Sequence, residues 1–295
     1  MPMAQSVNIE AFFHPSSFTI CYLLWCDTQK IAALIDPPLD YCAVSGEVGT
    51  EVADKMIARA KALNLDIAWL LETHAHADHL SAAEYIKKQV GGQTAIGKDI
   101  TFAQQTFKQK LNLDQDFATD GRQFDVLLED GQQLALGDCH IDILSTPGHT
   151  NDSVTYVIEG NAFIGDTLFM PDSGTSRCDF PGGDAGMLFD SIGKIFALGD
   201  DTVLLMCHDY QPNGRELAFK TTVAEQKQKN VHLANDCSKE KFVQVRTARD
   251  ATLSLPKLIY PSIQVNIAAG QLPKPQNSGQ RFIQMPLCGK TNWQD

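Results

Sequence analysis

Apolar residues fall along this chain in two rhythms. Short apolar runs at FTICYLLW (18–25) and KIAALIDPP (30–38) read as a strand pair that turns at DTQ. IAWLLETH (67–74) reads as a buried strand. Between these, EVADKMIARAKALNL (51–65) sets Val52, Met56, Ala60 and Leu63 on one helical face. SAAEYIKKQVGG (81–92) predicts a helix with Ser81 near its start and glycines at its end. HIDILSTPGH (140–149), SVTYVIEG (153–160) and NAFIGDTLF (161–169) predict three strands, the last two joined by a Gly-Asn turn. DAGMLFDSIGKIFALGD (184–200) gives a helix that aligns Leu188, Ile192, Ile195 and Phe196 and stops at Gly199. DTVLLMCHD (201–209) is a further buried strand. A helix plus a loop is expected over 99–130, and an irregular tail with one short strand or helix after about 255. No repeat or long linker interrupts the pattern. One catalytic domain over 1–255 is therefore expected, with 256–295 as an extension packed on it.

Charge narrows the partners. The formal net charge is -12, from 36 acidic and 24 basic residues. A polyanion of this kind is repelled by phosphate backbones and anionic lipid, so neither nucleic acid nor membrane is an expected partner. No apolar run approaches the ~18 residues of a membrane span. The opening MPMAQSVNIEAFF lacks the basic and apolar regions of an export signal. None of the eight cysteines forms a CxxC pair, which fits free thiols in a reducing compartment. A cytoplasmic protein is the expectation.

The candidate chemistry is concentrated in ETHAHADHL (72–80), which holds His74, His76, Asp78 and His79. Single histidines at strand ends are usually surface or satisfied core residues. Imidazoles and carboxylates packed this densely desolvate and repel one another unless a cation joins them. More ligand-grade residues follow other strands: Asp36 after the second, His149 after STPG, Asp166 within FIGDTLF and His208 after VLLMC. Strand ends on one sheet edge converge, so these residues can share one site. His14 and His232 stand outside the constellation, and His140 is doubtful.

THAHADH, followed in order by TPGHT, IGDTLF and MCHD, resembles the metallo-β-lactamase superfamily. That resemblance implies an α/β fold, the αββα four-layer sandwich, with metal at the sheet edges. His74, His76 and His149 match the ligands of a first metal position. Asp78, His79 and His208 match those of a second, Asp166 matches the bridging carboxylate, and Asp36 matches the aspartate that braces the histidine loop. The region SGTSRCDFPGGDA (173–185) and CHDY (207–210) resembles the persulfide dioxygenase family, in its bacterial β-lactamase-hydrolase-like branch. Membership implies one Fe(II) per chain held by His74, His149 and Asp166, with glutathione persulfide and O2 as substrates and sulfite and glutathione as products. Two histidines and one carboxylate leave three coordination positions open for O2 and a sulfur anion. The sequence leaves a homodimer open.

The resemblance also assigns substrate-side residues. Arg177 in the arginine motif could pair with a glutathione carboxylate, or with Asp179 or Asp209 to brace the metal loops; both readings stand. Tyr210 could face the substrate sulfur, as a substrate-binding and catalytic residue beside Asp166, or cap the core. Cys178 departs from the small polar residue expected beside that arginine. It could meet sulfane sulfur in the pocket, or serve as a buried filler. The alternative activity is a glyoxalase II-like hydrolase of hydroxyacylglutathione thioesters with two Zn, Fe or Mn ions. A third reading is a non-catalytic sulfide or redox sensor, which the full ligand set disfavours.

Overall fold

The computed structural model describes residues 7–234, 237–287 and 289. Residues 1–6, which open the stretch read for an export signal, and Cys288 lie outside that range. The chain begins with β1 (Val7–His14), β2 (Thr19–Cys26), β3 (Ile31–Ile35), β4 (Pro38–Tyr41), β5 (Val48–Gly49) and α1 (Glu51–Ala62). It continues through β6 (Asp66–Leu71), β7 (Leu80–Ser81), α2 (Ala83–Val90), β8 (Gln93–Gly97), α3 (Ile100–Lys110) and β9 (Val126–Leu128). The second half holds β10 (Gln133–Leu136), β11 (Cys139–Ser145), β12 (Val154–Ile158), β13 (Asn161–Phe163), α4 (Ala185–Phe196) and β14 (Val203–Leu205). β15 (Lys220–Thr222), α5 (Val223–Lys229), α6 (Lys239–Asp250) and α7 (Ile259–Asn266) complete it.

Two six-stranded sheets, ordered β1-β2-β3-β6-β8-β9 and β10-β11-β12-β13-β14-β15, stack face to face. β2 is buried at every position because it is sandwiched on both faces. Its Ile20, Tyr22, Leu24 and Cys26 meet Ile141, Ile143 and Tyr156 of the second sheet. Its Cys21, Leu23 and Trp25 face the opposite way, onto Met56 and Ile57 of α1 and Ile86 of α2. On the far side, Leu188, Ile192 and Ile195 of α4 cover Ala162, Leu204 and Met206, with Phe242 of α6 alongside. This is the αββα sandwich.

The periodicities locate most elements, with informative exceptions. The strands β1 and β8 and the helices α5 and α6 carry no strong period of their own and are fixed by pairing and packing. Strand β1 is held by an eight-residue register with β2. The hairpin between β12 and β13 turns on Glu159 and Gly160, both at positive φ, because Ile158 pairs with Asn161. The turn is thus one residue earlier than Gly-Asn. The C-terminal stretch supplies α7, in which Ile259, Ile263 and Val265 are buried.

Two tyrosines cross the sandwich reciprocally. Tyr22 on the first sheet donates its hydroxyl to Met206 O at 2.5 Å, and Tyr156 on the second donates to Glu72 O at 2.6 Å. Both side chains are fully buried. Tyr156→Phe leaves the Glu72 carbonyl without that donor and is expected to cost roughly 1–3 kcal/mol in urea unfolding. A variant as stable as the parent would show that the cross-sheet bond carries no net stability.

Candidate metal centre

The ligand-grade residues meet at one edge of the sandwich, where strand ends from both sheets converge. His74, His76, Asp78 and His79 sit on the loop between β6 and β7, His149 follows β11, Asp166 follows β13 and His208 follows β14. One ligand atom each from His74, His149 and Asp166 lie within 4.8 Å of one another, as do atoms from His76, Asp78, His79 and His208. Asp166 stands between the two groups. Its Oδ2 is 3.6 Å from His149 Nε2 and 3.9 Å from His74 Nε2, and its Oδ1 is 3.4 Å from His208 Nε2. His208 Nε2 is also 3.3 Å from Asp78 Oδ2.

The His76 ring lies 4.0 Å from that of His74 and 4.2 Å from that of His79, and its ligand atom groups with those of Asp78, His79 and His208. Its Nε2 lies 3.0 Å from Asp36 Oδ1 and 3.5 Å from Glu72 Oε2. Burial alone would strip its proton, but these two carboxylates prevail and hold its pKa well above the ordinary value.

Outer partners set the remaining tautomers. His149 Nδ1–H donates to Arg177 O at 2.7 Å, which turns Nε2 toward Asp166. The Thr73 hydroxyl donates to Asp36 Oδ2 at 2.8 Å and can therefore accept from His74 Nδ1–H at 3.0 Å. The Nε2 atoms of His74, His79 and His208 and Oδ1 of Asp166 are buried without a hydrogen-bond partner. Desolvated lone pairs converging in this way are what a metal ion satisfies, and an N/O donor set suits zinc, iron or manganese. The residues fit a resident metal.

Several supporting residues carry no motif. The Thr19 hydroxyl lies 3.2 Å from His79 Nδ1 and continues through Ser17 to His14, whose Nε2 is 3.0 Å from Asp40. His14 thus belongs to the support of the site although it lies far from the cluster in sequence. Asp152 accepts the Ala75 N–H at 2.6 Å. Asn266 of α7 donates to the carbonyls of both His76 and His79 at 2.8 Å and accepts the Ser81 N–H at 2.7 Å. Asp209 accepts from Arg215, which also grips Asp172. A buried Asn at a helix end was the one signal available for Asn266, and it is too common to be specific.

A cleft of about 600 Å³ opens over Asp78, His149 and Asp166. Arg177 lines it, but its Nε and Nη2 grip Asp179 at 2.6 Å and its Nη1 donates to Ser254 O at 2.8 Å. That geometry favours the bracing alternative. Tyr210 also lines the cleft, half-exposed, its ring stacked on His208 with centroids 5.5 Å apart. Cys178 does not reach the cleft. Its side chain packs with Ala185 and Leu188 beneath the loop, and burial, aided by Asp250, pushes its thiol up to about 12. No disulfide joins the described cysteines.

Comparison with known proteins identifies the architecture. The family model "Metallo-beta-lactamase superfamily" matches residues 19–208. The chain belongs to this superfamily. A "Probable metallo-hydrolase" from Burkholderia pseudomallei is 50% identical, with 95% of this chain and 99% of that protein covered. A "Beta-lactamase hydrolase-like protein" from Agrobacterium fabrum is 46% identical, and the chain spans only 64% of its length. The human mitochondrial persulfide dioxygenase ETHE1 is 30% identical over 85% of this chain and 83% of its own. The crystal structure of ETHE1 from Myxococcus xanthus superposes with a TM-score of 0.71 at 28% identity, covering 90% of this chain and all of that one. No helix among the described residues is long and apolar enough to cross a membrane.

Two outcomes follow from this geometry. Burial, then repulsion from His76, holds His79 at about 4, below its ordinary 6.5. Between those values the folded chain binds fewer protons than the unfolded one, so stability rises with pH. The metal-free protein is expected to hold this contribution above pH 6.5 and to lose it as pH falls toward 4, in urea titrations after chelation. Flat stability over that window would contradict a buried neutral His79. In the folded protein, iodoacetamide should label exposed Cys42 well before Cys178, read by peptide mass spectrometry. Equal rates would place the Cys178 thiol in solvent.

Proposed function

We propose that this chain is an iron-dependent persulfide dioxygenase that converts glutathione persulfide and O2 to sulfite and glutathione. The observation that carries the reading is the grouping of His74, His149 and Asp166 within one metal-sized site, with His76 Nε2 turned toward Asp36 and Glu72. Two imidazoles and one carboxylate on one side suit a non-haem iron with open positions. Iron held there would supply redox chemistry toward a sulfur anion and O2. The likeness to the human persulfide dioxygenase and to the Myxococcus xanthus structure supports the assignment.

The chain's own residues have separable tasks in this reading. Arg177 fixes His149 through its carbonyl while its guanidinium is anchored on Asp179, so it braces the metal loop. Phe180, packed edge-on against His149 at 5.2 Å, excludes water from one side of the ligand set. Tyr210 lines the opposite group through His208 and is assigned to orient the substrate sulfur. Water attacks the oxidised outer sulfur and breaks its bond to the carrier, supplying the third oxygen of sulfite and the proton with which glutathione leaves as a thiol.

A second reading keeps support. The other four-residue group, His76, Asp78, His79 and His208, is complete, and "Glyoxylase B2" from Dictyostelium discoideum is 44% identical over 97% of this chain. A dinuclear centre would supply hydroxide for attack on a glutathione thioester carbonyl.

Protein produced with iron is expected to hold about one Fe per chain and to consume O2 only when persulfide is added. Two tightly held zinc ions, thioester cleavage and no O2 uptake would reverse the assignment. Removing an outer partner of a metal ligand costs about 10- to 100-fold. Asp166→Ala, which removes a ligand, is therefore expected to lower both iron content and O2 uptake by at least that much.

A further inference from the structure

The chain is strongly acidic, yet one wall of its cleft is basic. Arg177, Arg246 and Arg249 all line the cleft. Two of the three are spent on protein carboxylates. Arg177 is paired with Asp179, and Arg246, nearly fully buried, is paired with Asp250 and donates to Thr175 O. Asp172, the acidic residue on the same wall, is held by Arg215. Arg249, exposed near the end of α6, has no ion pair or side-chain hydrogen bond among the described residues. It is the uncompensated cation of the cleft.

His232 stands beside it. His232, Arg246 and Arg249 border the same narrow crevice at the end of the cleft. The backbone N–H of Thr175 donates to His232 Nδ1 at 3.0 Å, so the neutral ring carries its proton on Nε2. Burial and the two neighbouring arginines keep the ring neutral by lowering its pKa. The position is built rather than incidental. Gly174 approaches so closely, at φ +84°, that a Cβ there would sit 2.3 Å from His232 Nδ1. An unpaired guanidinium and an imidazole N–H donor on one wall form a receptor for a planar anion. Val231, Leu253 and Pro256 offer apolar surface alongside.

We infer that Arg249, with His232 Nε2–H, is the carboxylate subsite of this cleft and selects a substrate carrier that bears a carboxylate remote from its reacting sulfur. The inference rests on the thiol-carrier reading proposed above and adds what reads the carrier. The sequence-based assignment of that role to Arg177 is thereby moved to a residue no motif marks. Arg249 supplies two parallel N–H groups for a fork, and the histidine adds a third, neutral donor.

The test uses the full metal-loaded protein and two persulfides, that of glutathione and that of 2-mercaptoethanol, which has no carboxylate. A hydrogen bond to a charged group is worth enough that Arg249→Ala should weaken glutathione binding, measured by calorimetry, about 10- to 100-fold. The ratio of kcat/KM for glutathione persulfide over hydroxyethyl persulfide should fall by a comparable factor, with Arg249→Lys between the two. An unchanged ratio, or equal losses on both substrates, overturns the subsite. If neither persulfide drives O2 uptake, the dioxygenase reading falls and calorimetry alone decides. Glutathione that binds parent and Arg249→Ala equally, or binds neither, overturns the inference.

Discussion

One buried carboxylate ties together the strand ends on which the candidate metal centre is built. Asp36 closes β3 at φ +50°, a backbone state that a residue with a Cβ holds only when its surroundings impose it. The surroundings do so from three directions. The Thr73 N–H and hydroxyl donate to its two oxygens at 2.7 and 2.8 Å, and its own N–H donates to Leu71 O at 2.9 Å. His76 Nε2 lies against one oxygen and the Cys207 thiol against the other. An ionised carboxylate without such partners could not stay buried. With them, it fixes the histidine loop relative to β3 and the end of β14, and it decides which way His76 faces.

That orientation has a chemical consequence. Asp36 and Glu72 together place two carboxylates behind a single imidazole, so His76 Nε2 faces them while its ring packs 4.0 Å from that of His74. Candidate ligands that the motif alone would divide three and three about a shared aspartate group as His74, His149 and Asp166 and as His76, Asp78, His79 and His208, with Asp166 still close to His208. The smaller set opens on the cleft through His149 and Asp166. The distribution of buried charge behind the ligands, rather than their presence, distinguishes the two arrangements.

The same economy of charge shapes the cleft. Its arginines are matched with acids wherever they act as braces: Arg177 with Asp179, Arg246 with Asp250, Arg215 with Asp172 and Asp209. Pairing holds the loops that carry His149 and His208 without leaving a field to attract anions. The overall charge of -12 repels anions at long range, so recognition of one depends on short-range donors inside the cleft.

The sandwich, and the residues that gather at its edge as candidate ligands, were legible in the sequence. Strand runs such as β2 and β6 and the amphipathic α1 and α4 declare themselves through local periodicity, which depends only on a residue's near neighbours. The crowding of His74, His76, Asp78 and His79 is likewise local, and it has few explanations other than a cation. How those candidate ligands group, and what holds them, depends on contacts made by folding. Asn266 supports the histidine loop from 187 residues away, and Asp152 from 77. Arg177 is spent and Arg249 is available because of where Asp179 and Ser254 lie in space. Cys178, beside the arginine of a recognisable motif, packs in the core with Ala185 and Leu188 of α4. Such facts belong to pairs of residues brought together by folding, and a hydrogen bond or ion pair between distant segments leaves no periodic trace in either one.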